Sequence, residues 1–171
     1  MARKASKDAF TVILTHENTD FDALASLLAA AKLFPDAVPV LPLRMNRNLR
    51  AFLTIYGGEL PFVRREDLPR RTVDKAILVD TQSVVPVRGM SKKTPLQIID
   101  HHPLDQDLRL GSSYHGEPLG ATTTLLLEGI REKHIPLRIV EASLLLLGLY
   151  EDTGSLTYNT TTPRDIYAAA W

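Results

Sequence analysis

Phe10-Thr11-Val12-Ile13-Leu14-Thr15-His16-Glu17-Asn18-Thr19-Asp20-Phe21-Asp22-Ala23 is the stretch on which the fold turns. Phe10 to Thr15 is a compact apolar and β-branched run of the kind that forms a buried strand. It stops at His16. From Asp20 to Phe34 apolar side chains return at helical spacing, at Leu24, Leu27, Leu28 and Ala31. Asp20 and Asp22 fall in the first turn of that helix, where carboxylates suit the positive end of the helix dipole.

The same punctuation recurs along the chain. Val38 to Leu43 is a second strand candidate, interrupted by Pro39 and Pro42, and Leu49 to Tyr56 reads as a helix stopped by Gly57-Gly58. Lys75 to Val79 is an apolar strand ending at Asp80, and Leu96 to Ile99 is another ending at Asp100. Leu119 to Lys133 and Ile139 to Tyr150 are apolar helices. Thr162-Pro163-Arg164-Asp165 has the cap, proline and acidic residue of a helix start. Short strands alternating with helices predict an α/β fold with a Rossmann-like, doubly wound, mostly parallel sheet. The charged run from Arg64 to Arg71 reads as a solvated connection.

Composition narrows the classes. The chain has 171 residues, 44% hydrophobic and 23% charged, which suits one globular domain. Lys plus Arg equals Asp plus Glu at 20 each, so a generally basic nucleic-acid binder is excluded. The absence of cysteine excludes a disulfide scaffold and any thiolate zinc site. No apolar run is long enough for a transmembrane helix, and the polar start from Met1 to Asp8 lacks the features of a signal peptide. A cytoplasmic protein without membrane contact is expected. The last helix runs only from Pro163 to Trp171 and ends on apolar residues. Residues 1–171 are therefore expected to be a single domain at the N-terminal end of a longer polypeptide.

Three strand ends carry acids or imidazoles: His16 with Asp20 and Asp22, then Asp80, then Asp100-His101-His102. Asp152 follows a later apolar run. In an open parallel sheet ligands bind beyond the carboxyl ends of the strands, so these groups are expected on one edge. Carboxylates packed together repel one another, and divalent cations relieve that conflict. Oxygen and imidazole donors without thiolate suit Mn²⁺ and Mg²⁺, and less exclusively Zn²⁺, Fe²⁺ or Co²⁺. Two ions about 3.5–4 Å apart would clamp a phosphoryl group.

These residues resemble the DHH phosphoesterases. His16-Glu17-Asn18-Thr19-Asp20-Phe21-Asp22-Ala23 is similar to the family's first motif, with Thr19 where proline is usual. Asp80 in Leu78-Val79-Asp80-Thr81 looks like the second motif, and Asp100-His101-His102-Pro103 like the third. Gly120-Ala121-Thr122-Thr123-Thr124 and Asp152-Thr153-Gly154-Ser155 resemble the glycine-threonine segment and the fourth. The similarity is greatest to DHH domains that begin long bacterial polypeptides containing CBS domains and a poly(A) polymerase or CCA-adding tRNA nucleotidyltransferase-like domain. Other relatives of that kind include RecJ exonuclease, nanoRNase-type oligoribonucleases, cyclic-dinucleotide phosphodiesterases and family II pyrophosphatases.

The resemblance implies two divalent cations, Mn²⁺ first and Mg²⁺ second. His16, Asp20 and Asp80 would hold one. Asp22, Asp80, His101 and Asp152 would hold the other, with Asp80 as the bridge. Asp100 and His102 are the expected catalytic pair, Asp100 orienting a histidine ring and His102 meeting phosphate or protonating the leaving oxygen. Asn18, His102, Thr122 and Thr123 are the expected substrate contacts. The implied function is a hydrolase acting on a phosphodiester of a nucleotide or of short or single-stranded RNA or DNA. A manganese pyrophosphatase or exopolyphosphatase-like enzyme and a non-catalytic nucleotide- or RNA-binding module are the alternatives. Active relatives add a second domain, so residues 1–171 alone are expected to turn over weakly or not at all. The partners implied are a phosphate-containing substrate and further domains of the polypeptide.

Overall fold

A computed structural model describes residues 9–105 and 107–171. Five parallel strands form one sheet in the order β2-β1-β3-β4-β5: β1 Thr11–Leu14, β2 Ala37–Pro39, β3 Lys75–Val79, β4 Leu96–Ile99 and β5 Ser113–His115. This is the Rossmann-like α/β arrangement with a parallel sheet that the sequence predicts, with its helices gathered on one face where a doubly wound sheet would carry them on both. Its order reverses between β1 and β3, the kind of switch point where open sheets bind ligands. Leu14 pairs with Leu78 and Val79 with Ile99, so the register carries His16, Asp80 and Asp100 to neighbouring strand ends on one edge. Backbone bonds prolong the ladder there, Asp80 N–H to the Ile99 carbonyl and Asp100 N–H to the His115 carbonyl.

The helices are α1 Phe21–Leu33, α2 Arg47–Tyr56, α3 Thr122–Glu132, α4 Ile139–Asp152 and α5 Pro163–Ala170. Their apolar residues share one core with Ile13, Ile77, Val79 and Ile99. The alternate strand residues Val12, Leu14, Ala76, Leu78, Leu96 and Ile98 form a second core on the other face. There the cover comes from connecting segments through Val63, Leu68, Val73, Val84, Val87 and Met90.

Most departures from the sequence reading have local causes. Strand β2 stops at Pro39, and the chain continues through single bridges, Val40 to Val63 and Met45 to Thr19. Proline cannot donate to a ladder, which breaks the longer strand expected over Val38 to Leu43. Strand β5 is only Ser113-Tyr114-His115, too short to show a period. Helix α4 runs on to include Asp152. The charged segment contains a single 3-10 turn, Arg65–Asp67. No helix among the described residues is long and apolar enough to cross a membrane.

Helix α4 reaches the sheet edge by crossing α1 closely at Gly148. A Cβ there would lie 2.5 Å from Ala25 Cβ and 2.8 Å from the Phe21 carbonyl oxygen. The second neighbour is backbone and cannot rotate away. Gly148→Ala is expected to cost about 1–3 kcal/mol as an overpacked contact. Urea unfolding of the variant and the parent measures it, and equal midpoints would show that the helices separate freely.

Candidate metal centre

Asp80 is the first residue past β3 and has φ 55°, a left-handed conformation that aspartate tolerates better than most side chains. Its Oδ2 lies 3.5 Å from His16 Nε2 and its Oδ1 3.8 Å from His101 Nε2. The two oxygens of one buried carboxylate thus face two different imidazoles. Around them the donor atoms fall into overlapping groups within 4.8 Å: His16, Asp20 and Asp80; Asp22, Asp80, His101 and Asp152; and Asp80, Asp100, His101 and His102.

Each member is positioned by an identifiable local device. Asp20 caps α1, its Oδ1 accepting Ala23 N–H at 2.9 Å, while Oδ2 stands 3.9 Å from His16. Thr19 closes the preceding loop by donating its hydroxyl to the His16 carbonyl at 2.6 Å, a hydrogen bond where a proline ring would stiffen the chain. Asp22 has no solvent exposure and takes the backbone N–H groups of Thr122 and Thr123 at 2.9 and 3.1 Å, one on each oxygen. The N-terminus of α3 therefore supplies both free amides and dipole to that carboxylate. Asp152 comes from the end of α4, with its Oδ2 3.5 Å from His101 Nε2.

His101 bears most directly on metal fit. Its Nδ1 lies 2.9 Å from the Leu119 carbonyl, which can only accept, so the proton sits on Nδ1. Its Nε2 is buried without a hydrogen-bond partner. That lone pair points among carboxylates, which when ionised can also only accept, an arrangement that divalent cations satisfy.

The acids push protons onto one another. Burial, then Asp80 and Asp152, hold Asp22 well above the usual carboxylate range. Burial, then Asp80 and Asp20, carry Asp152 up to about 7. The hydrogen-bonding closeness of Asp80 raises His16 against the opposing effect of burial.

The remaining expected residues divide. Asp100 is buried, and its Oδ1 accepts from His102 Nδ1 at 2.9 Å and from His102 N–H at 3.2 Å. His102 is 62% exposed at the side chain and its ring packs edge-on against His101. Tyr114 donates its hydroxyl to the His102 carbonyl. Asn18 is exposed on the loop before Asp20. Thr122 and Thr123, expected at the substrate, are fully buried. The Thr122 hydroxyl donates to Asp80 Oδ1 at 2.8 Å, so the start of α3 organises carboxylates instead of facing a substrate. His115 and His134 are exposed and belong to none of the donor groups.

Sequence reasoning finds Asp165 only as a helix-capping residue. In the structure it is wholly buried and accepts from Gly120 N–H at 3.0 Å, Thr124 hydroxyl at 2.6 Å, Thr162 N–H at 2.7 Å and Thr162 hydroxyl at 2.8 Å. Burial pushes its carboxyl up, but hydrogen bonds from Thr124, Thr162 and Gly120 outweigh that and hold it below the usual range. It therefore ties α5 to the segment that carries Thr122 and Thr123. An acid three residues after a threonine announces the cap and gives no sign of the partner forty residues upstream.

The fold and the acid-imidazole edge define a Rossmann-like α/β domain built to gather divalent-cation donors. Residues 11–149 match the DHH family, N-terminal domain, and the chain belongs to that family. It is 38% identical over 166 residues to the A-adding tRNA nucleotidyltransferase of Geobacter sulfurreducens, covering 94% of this chain and 19% of the relative. It is 27% identical over 164 residues to the manganese-dependent inorganic pyrophosphatase of Bacillus subtilis, covering 92% of this chain and 52% of that protein. The crystal structure of a Methanococcus jannaschii protein assigned as a family II inorganic pyrophosphatase superposes with TM-score 0.72 at 25% identity, covering 94% of this chain and 54% of that one. The chain thus spans about a fifth of the nucleotidyltransferase and about half of the pyrophosphatases.

Two outcomes follow from this electrostatics. Asp22, Asp152 and His16 all hold protons more tightly when folded, so the metal-free folded state binds more protons than the unfolded one. Stability then falls as pH rises, through the interval between an ordinary carboxylate and about 7 for Asp152. Melting in EDTA is expected to drop across that interval, and added Mn²⁺ to reverse the slope because it replaces the protons. Parallel melting curves with and without Mn²⁺ would show that these acids do not meet the metal. Asp165→Asn is expected to destabilise by about 2–3 kcal/mol through lost charge-assisted hydrogen bonds. It is also expected to weaken Mn²⁺ binding, read by calorimetry at a temperature where the variant is folded.

Proposed function

We propose that this domain is a two-metal phosphoesterase acting on a phosphodiester of a nucleotide or a short or single-stranded nucleic acid, within a longer nucleotidyltransferase-type polypeptide. The observation that carries the reading is Asp80, whose separate oxygens face His16 and His101 at 3.5 and 3.8 Å. On this reading His16, Asp20 and Asp80 hold one divalent cation, and Asp22, Asp80, His101 and Asp152 hold a second, with Mn²⁺ favoured over Mg²⁺. Such ions polarise a phosphoryl oxygen and acidify water. His102 does the proton work. Burial lowers its pKa, but the Asp100 hydrogen bond, with the charges of Asp100, Asp80 and Asp152, raises it on balance. An exposed imidazole that holds its proton more tightly than usual is suited to protonate a leaving oxygen. Asn18, exposed on the loop before Asp20, is a candidate substrate contact.

The likeness to manganese-dependent pyrophosphatases over half their length supports pyrophosphate or polyphosphate as the second reading. A binding module without turnover is the third. The test uses this chain and the longest reading frame that contains it, with Mn²⁺, on dinucleotides, single strands and pyrophosphate. We expect Asp80→Asn to abolish hydrolysis and halve or eliminate Mn²⁺ binding. We expect His102→Gln to lower turnover by about 10²–10⁴-fold with Mn²⁺ binding retained. Turnover indifferent to Asp80→Asn overturns the proposal, and inactivity of every form favours the binding module.

A further inference from the structure

The segment Arg44-Met45-Asn46-Arg47-Asn48-Leu49-Arg50 carries three arginines and no acid. The structure brings it beside the metal centre, although it lies outside every motif. Met45 forms a parallel bridge with Thr19, the residue before Asp20. Helix α2 is then fixed against the start of α1 by Phe52, whose ring meets that of Phe21 edge-on at 5.9 Å. Phe21 directly follows Asp20. The inner side of α2 is spent on Leu49 and Phe52, which leaves Arg47 and Arg50 exposed one turn apart. Arg44 is exposed at the approach to the helix. None of the three side chains has an ion pair or hydrogen bond among the described residues.

Here the acids gather inside the centre, and the segment that carries the three exposed arginines is tied to Thr19 and Phe21, the residues on either side of Asp20. Cations in the centre would neutralise the acids and leave this segment positive. A guanidinium fork matches phosphate in two-point geometry. Pyrophosphate, held at the centre, has nothing left to offer this segment. A strand with further phosphates beyond the reacting one does.

We infer that Arg44, Arg47 and Arg50 form a track for the backbone phosphates of a single-stranded polynucleotide whose reacting phosphate lies at the metal centre. This rests on the phosphoesterase reading and names the longer strand as its substrate class. Contacts of this kind carry no base information and make binding salt-dependent.

The experiment replaces the three arginines with alanine, singly and together, in the longest reading frame containing the chain. Their exposure and lack of partners leave folding and Mn²⁺ binding intact, which melting and calorimetry check. Binding of phosphorothioate single strands of about a dozen nucleotides, as RNA and as DNA, is followed by fluorescence anisotropy over a salt series in Mn²⁺. The triple variant is expected to bind at least about tenfold more weakly, with a log–log salt slope shallower by about 0.7 for each arginine removed. RNA and DNA are expected to lose equally, and hydrolysis of pyrophosphate or a dinucleotide to stay unchanged. Unchanged strand affinity and slope overturn the track, as does an equal loss on pyrophosphate. Strand binding that depends on the arginines in a protein without hydrolytic activity keeps the track and removes the phosphoesterase reading instead.

Discussion

The domain is organised around a carboxylate that water does not reach. Asp22 sits at the start of α1 with each oxygen on a backbone N–H of the α3 N-terminus, from Thr122 and Thr123. An ionised carboxylate out of contact with water is costly unless hydrogen-bonded and balanced by charge. The amides supply the hydrogen bonds, and the helix end supplies part of the charge. That requirement fixes α3 against α1. The Thr122 hydroxyl then reaches Asp80, and the His101 N–H reaches that same hydroxyl oxygen at 3.2 Å. Helix α5 secures the arrangement from behind through Asp165. Five chain segments distant in sequence are thus held by hydrogen bonds to a few acidic and hydroxyl oxygens.

This framework leaves an electrostatic debt. The amides serve Asp22 alone. Asp80 and Asp152 still raise its pKa, and Asp152 itself is raised toward neutrality. Proteins seldom keep such a cluster for stability, because apolar packing of the same volume does better. The cluster makes physical sense as a receptor for positive charge. His101 argues the same way with different chemistry: its proton is committed to Leu119, and its free lone pair is turned inward among acids.

Much of this was legible in the sequence because strand and motif coincide. The runs ending at His16, Asp80 and Asp100 have the β-branched and apolar content of buried strands, and parallel topology alone brings their ends to one edge. Three features were not legible. Strand β5 is too short to leave a pattern. Thr122 and Thr123 look like open phosphate donors at a helix start, and only tertiary packing shows that Asp22 already occupies them. The arginines before and within α2 look like an ordinary solvated face, because nothing in the sequence tells that Met45 will pair with Thr19. The last two misses rest on long-range contacts, which local sequence patterns do not announce.

Proteins similar to this domain carry names as different as A-adding tRNA nucleotidyltransferase and inorganic pyrophosphatase. The geometry gives a reason. The carboxylates of Asp20, Asp22, Asp80 and Asp100 are each committed to an imidazole, a hydroxyl or a backbone amide, which leaves the edge suited to a phosphoryl group and its charge. What lies on either side of that phosphoryl group must be read by the rim. In this chain the segment tied to Thr19, next to Asp20, leads into α2, whose exposed Arg47 and Arg50 have no side-chain partner among the described residues. The exposed side chains of α2 take no part in the hydrogen bonds of the buried carboxylate framework, so they can be altered without disturbing it.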